Sequence, residues 1–105
     1  MTTPAFDETI HAPLRLKACV QLSTVQQMAF SALRDDLGVA DSVLSKHLKT
    51  LVEAGYVTLD RPTGQGGRPR TWVSLTKEGR RALAGHLAAL EEMVAATRAA
   101  TPPAG

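Results

Sequence analysis

The 105-residue chain has room for one domain with one modest core, and its 44% hydrophobic but only 4% aromatic residues favour helices over an all-β architecture. The single cysteine, Cys19, excludes an internal disulfide and any cysteine-pair zinc site. No stretch reaches the roughly 18 apolar residues of a membrane span and no signal peptide opens the chain, so a cytoplasmic protein without membrane contact is expected.

The formal net charge of +2 is unevenly spread: residues 41–81 hold eight basic and four acidic side chains, a balance of +4, and the remainder holds four and six, a balance of −2. Residues 1–8 read as a flexible, proline-bearing segment, residues 9–96 as the folded domain, and residues 97–105 as a flexible tail ending in TPPAG. The stretch APLRLKACVQL predicts a helix opened by Pro13, with Cys19 on its buried side and Arg15 and Lys17 in solvent. STVQQMA then reads as a short connection of extended character. FSALRDDLG gives a brief helix with Ala32, Leu33 and Leu37 inward, stopped by Gly38.

DSVLSKHLKTLVEAG is the clearest helix. Asp41 is the expected N-cap, Val43, Leu44, Leu48, Leu51 and Val52 the apolar stripe, and Gly55 the stop. Two short helices joined by a glycine turn, the second exposing small polar and basic groups near its start, match a helix-turn-helix pattern. YVTLDR and TWVSLT alternate as strands and flank RPTGQGGRPR, which predicts a two-stranded hairpin with a glycine-rich, basic tip. The last helix begins near Thr76, and within it Leu83, Leu87, Leu90 and Val94 recur at coiled-coil spacing, the expected dimerisation seam.

The glycine-rich decapeptide lacks the lysine of a phosphate-binding loop and leads from strand to strand rather than into a helix, which excludes nucleotide-enzyme readings. His11, His47 and His86 have no metal-ligand spacing, and the Ser42, Ser45 and His47 neighbours lie along one helix rather than on a nucleophile turn. No enzyme, metal site or cofactor is therefore expected. His47 reads as a partly buried, hydrogen-bonded support residue.

The residues that fit a chemistry fit double-stranded DNA. Ser42, Ser45 and Lys46 would face base edges in a major groove, and Lys49 a phosphate. Arg68 and Arg70 would lie on the backbone or in a narrow minor groove, Gly66 and Gly67 permitting close approach. Arg61, at the hairpin base, has a local carboxylate as a competing partner.

The run from Ser31 to Leu83, above all LSKHLKTLVEAGYV, GQGGRPRT and LTKEGRRAL, resembles the winged helix-turn-helix domain of bacterial transcriptional regulators of the broad MarR/ArsR-like group, of small stand-alone type. The resemblance implies an α+β winged helix with a two-stranded wing and a long C-terminal dimerisation helix. It further implies a homodimer that represses from a roughly palindromic operator, with recognition helix 41–54 and wing 61–70.

Ala40 stands where the group often has a capping serine or threonine, which transfers the cap to Asp41 or shifts the helix start. QMAFSALRDDLG lacks the cysteine pair of the metal-sensing branch, and no aromatic-lined effector site is evident. The competing reading is a winged-helix protein-interaction module without specific DNA recognition.

Overall fold

The computed structural model describes residues 2–62 and 70–100. Asp7 opens a four-residue helix, α1 (Glu8–His11), by accepting the Ile10 amide at 3.0 Å. Pro13 at the first position starts α2 (Pro13–Ser23), which buries Ala18, Cys19 and Leu22. A short strand, β1 (Met28–Ala29), leads directly into α3 (Phe30–Leu37). Gly38 ends that helix in the left-handed region, φ 66°, with its amide on the Arg34 carbonyl at 2.9 Å.

Next come α4 (Asp41–Glu53), β2 (Val57–Asp60), β3 (Trp72–Leu75) and α5 (Lys77–Ala99). The three strands form an antiparallel sheet in the order β1-β3-β2, with Val57 opposite Leu75, Asp60 opposite Trp72 and Met28 opposite Val73. Thr76 caps α5 through the Gly79 amide at 2.9 Å and donates its own hydroxyl to the Gly55 carbonyl at 2.6 Å. One side chain thus closes the end of α4 onto the start of α5.

The core gathers one face from nearly every element: Ile10, Leu22, Leu33, Leu44, Leu48, Leu51, Val57 and Val73 are all buried. At about 1.5–3 kcal/mol for each fully buried aliphatic side chain, this shared core, rather than any one helix, holds α4 in place. Cys19 belongs to it, and burial, with a smaller push from Asp7 partly opposed by Arg15, raises its thiol to about 11. A thiol-exchange reagent at pH 8 is therefore expected to label the native protein only as fast as it opens; prompt stoichiometric labelling would contradict this burial.

The winged-helix architecture with its hairpin and long last helix matches expectation, while several local features differ. The extended stretch before α3 forms β1, a third strand, because Met28 and Ala29 pair along the free edge of β3. Asp41 is not the cap: Ala40 occupies that position without a side-chain bond, and Asp41 lies in the first turn, its carboxylate 2.9 Å from Arg34. Val43 and Val52 flank the apolar stripe and stay 38% and 39% exposed, and Ala32 faces outward from α3.

Candidate nucleic-acid interface

The exposed face of α4 is set by its amphipathic spacing. Once Leu44, Leu48 and Leu51 are turned into the core, Ser42, Ser45, Lys46 and Lys49 project on the other side, and all four are exposed. The two serine hydroxyls make no hydrogen bond to the described residues, and Lys46 and Lys49 make no side-chain bond or ion pair with them. Arg34 bonds both Asp35 and Asp41, each at 3.0 Å or less, and so ties α3 to the first turn of α4. Asp41 in that turn also complements the helix dipole.

The buried side of the helix carries His47. Arg15 of α2 donates to its Nδ1 at 3.1 Å, and since a guanidinium only donates, the ring proton sits on Nε2. Burial first, then the charges of Arg15 and Lys46, hold His47 below the ordinary imidazole value. Arg15 Nε in turn donates to the Thr9 carbonyl of α1 at 2.5 Å. His47 is thus hydrogen-bonded and half-buried, on the side of α4 that meets the rest of the fold.

The hairpin places further cations beside this face. Arg61 follows β2, and among the described residues no carboxylate pairs with it. Arg70 precedes β3 with its guanidinium 5.8 Å from the Trp72 ring centroid. Arg68, with Gly66 and Gly67, lies outside the described residues. Between α4 and the hairpin root runs a groove of about 260 Å³ with Leu48 and Leu59 on its floor and Lys49 and Arg61 along it.

Not every cation in the basic half of the chain belongs to this surface. Arg80 reaches from α5 to the carbonyls of Ser23 and Val25 at 3.3 and 2.9 Å, closing the exposed end of α2. Arg81 pairs with Glu78 at 3.3 Å. Arg61 lies just beyond the end of β2, next to Asp60, and no ion pair joins the two.

The four residues of the expected seam separate along α5. Leu83 is buried in the subunit's own core, Leu87 and Leu90 are half-buried, and Val94 is 49% exposed with Met93 beside it at 52%. Among the described residues no group of histidine, cysteine and carboxylate side chains is arranged to hold a metal, and no helix is long and apolar enough to cross a membrane.

The profile of the winged helix DNA-binding domain family matches residues 14–94. Among solved structures, the chain is similar to a transcriptional regulator homologue from Pyrococcus horikoshii OT3, with TM-score 0.80 and 23% identity over 86% of this chain and 88% of that one. It is similar to NolR from Sinorhizobium fredii, with TM-score 0.64 and 26% identity over 81% and 76%. The PcaV transcriptional regulator from Streptomyces coelicolor, solved with its natural ligand, superposes with TM-score 0.71 and 18% identity over 92% and 67%.

Four longer chains are spanned for 51–66% of their length. No curated protein matches the sequence. With a family match across most of the chain and a three-stranded winged-helix fold, the chain belongs to the winged helix DNA-binding domain family.

Proposed function

We propose that the protein is a homodimeric, cytoplasmic repressor that reads a roughly palindromic duplex operator with α4 in the major groove and the hairpin on the flanking backbone or minor groove. The observation that carries this reading is a cluster of cations: Lys46, Lys49 and Arg61 share the α4 and hairpin face and make no bond within the described fold, Arg15, Arg34, Arg80 and Arg81 are engaged elsewhere, and the other unbonded lysines, Lys17 and Lys77, stand apart on α2 and α5. Holding unpaired cations on one face costs self-repulsion that a polyanion relieves. Ser42 and Ser45 are the base-reading groups, Lys46 sits beside them, and Lys49, Arg61, Arg68 and Arg70 contact the backbone.

Dimerisation follows from what α5 leaves uncovered. Its 23 residues extend for about 34 Å at 1.5 Å per residue, further than the subunit's core reaches. Leu87, Leu90 and Val94 with Met93 form an apolar strip on the outer half, and a second copy of α5 is the cover that the heptad spacing suits. Two recognition helices separated by about one duplex turn would then engage both half-sites together.

Leu90→Asp is the test. Because Leu90 lies beyond the main core, the variant is expected to keep its helical spectrum but sediment as a monomer and lose specific operator binding by about a hundredfold, the avidity of the second half-site. A wild-type protein that is a folded monomer at micromolar concentration would overturn the dimer. An L90D dimer would move the seam elsewhere.

A further inference from the structure

Away from the DNA face, His86 of α5 is fully buried and both its ring nitrogens are engaged. The Asp7 amide donates to His86 Nδ1 at 3.0 Å, which leaves the ring proton of the neutral imidazole on Nε2. That proton points at His11 Nδ1, 3.1 Å away, so His11 accepts and carries its own proton on Nε2. Phe6 lies against both rings, its centroid 4.8 Å from His11 and 4.7 Å from His86.

The same short segment is fastened at further points. The Ala5 amide donates to the Gly85 carbonyl at 2.9 Å, and a side chain on Gly85 would press within 3.3 Å of the Thr3 carbonyl, so α5 is bare where the strap crosses it. Asp7 accepts the Tyr56 hydroxyl at 2.5 Å, and that bond, with burial, pushes the phenol up to about 12. Tyr56 directly follows the glycine that ends α4, and Thr9 of α1 accepts from Arg15, which holds His47. The strap therefore touches both the end and the buried side of the recognition helix.

We propose that His11 and His86 form a pH-sensitive latch that fastens residues 5–11 to α5 at neutral pH and releases them in acid, loosening α4 and lowering DNA affinity. The reason is a proton count. Both rings must be neutral for every bond to exist: a proton on His86 Nδ1 faces the Asp7 N–H, and one on His11 Nδ1 faces the His86 N–H. In either case two donors meet and a bond is lost.

The surroundings do not rescue the charged form. The strap contributes the Asp7 carboxylate, already bonded to the Ile10 amide and the Tyr56 hydroxyl, and α1 contributes His11. On α2 the neighbouring groups are Arg15 and the neutral Cys19, and beyond Tyr56 stands Glu78. Burial, then His11, lower His86 from the ordinary histidine value, and these outweigh the attraction of Asp7. A histidine depressed in the closed state leaves the latch intact above its open-state value of about 6.5 and weakens it as the pH falls below that.

The test has two arms, and only the second rests on the proposed DNA function. In the wild-type protein, amide protection of residues 5–11, corrected for intrinsic exchange, is expected to fall about tenfold per proton taken up between pH 7.5 and 5.5, while core amides of α5 keep theirs. Unchanged protection of the strap would overturn the latch.

In the second arm, duplex affinity of the wild type should fall at least about threefold more over that range than that of His86→Asn, which removes the buried titrating ring and leaves an amide oxygen that can accept from the strap. Equal pH dependence in wild type and variants would overturn the coupling to DNA. Should H86N fail to fold, H11N, which removes one of the two titrating rings at the surface, is expected to recover part of that difference, and recovery of none would overturn the coupling; absence of any duplex binding at pH 7.5 would count against the DNA reading while leaving the first arm decisive.

Discussion

Gly79→Ala is expected to destabilise the protein by about 3 kcal/mol or more, lowering its midpoint by more than about 10 °C, although alanine is the better helix former by about 1 kcal/mol. A Cβ at Gly79 would stand 2.1 Å from the Tyr56 carbonyl oxygen and 2.9 Å from its carbon, and both are backbone atoms with no rotamer to yield. That oxygen already accepts the Thr76 amide at 2.9 Å. To make room, the first turn of α5 must retreat from the turn after α4, which strains the Thr76 bridge to Gly55 as well. Thermal unfolding of the purified variant measures this directly; a midpoint equal to or above wild type would mean that the α4–α5 junction is not packed as described.

Replacing Lys49 and Arg61 together by alanine is expected to weaken duplex binding about tenfold or more at moderate salt, and to do so almost equally on unrelated sequences. Each lost phosphate contact removes about 0.9 from the slope of log affinity against log salt, so the pair lowers it by about two per subunit. Neither side chain is bonded within the described fold and both are exposed, so the native stability should stay within about 0.5 kcal/mol of wild type. Ser42→Ala and Ser45→Ala should behave oppositely, changing which bases are preferred while leaving the salt slope in place. Filter or anisotropy titrations at several salt concentrations separate the two patterns.

Features that depend on spacing were legible in the sequence. The α4 stripe of Leu44, Leu48 and Leu51, the glycine stops at 38 and 55, and the alternation around the decapeptide all follow from local geometry. These placed the helix-turn-helix, the hairpin and the polar face of α4.

What escaped depends on contacts distant in the chain. Strand β1 is two residues long and exists because β3 offers an edge, so no alternation announces it. Asp41 has the right chemistry for a cap, but Arg34 seven residues earlier claims its carboxylate. Gly79 looks like a blemish in a helical run until the Tyr56 carbonyl is seen against it.

The same holds for the candidate site. Lysine and serine positions on α4 follow from the wheel, but whether a cation is spare or structural does not. Arg80 and Arg61 carry the same guanidinium in the same basic half of the chain; one closes the end of α2 and the other has no partner among the described residues. His11 and His86, 75 residues apart, have no motif spacing, yet the strap brings their rings to 5.1 Å.

The most direct test of the central claim is selection of bound duplexes from a random pool by the purified wild-type protein, at pH 7.5 and moderate salt. Recovery of an inverted repeat whose half-sites lie about one duplex turn apart, with half-site preference altered by Ser42→Ala or Ser45→Ala, is the predicted result. A pool that stays random, from protein that is folded and dimeric and shows no duplex binding even at low salt, would contradict it.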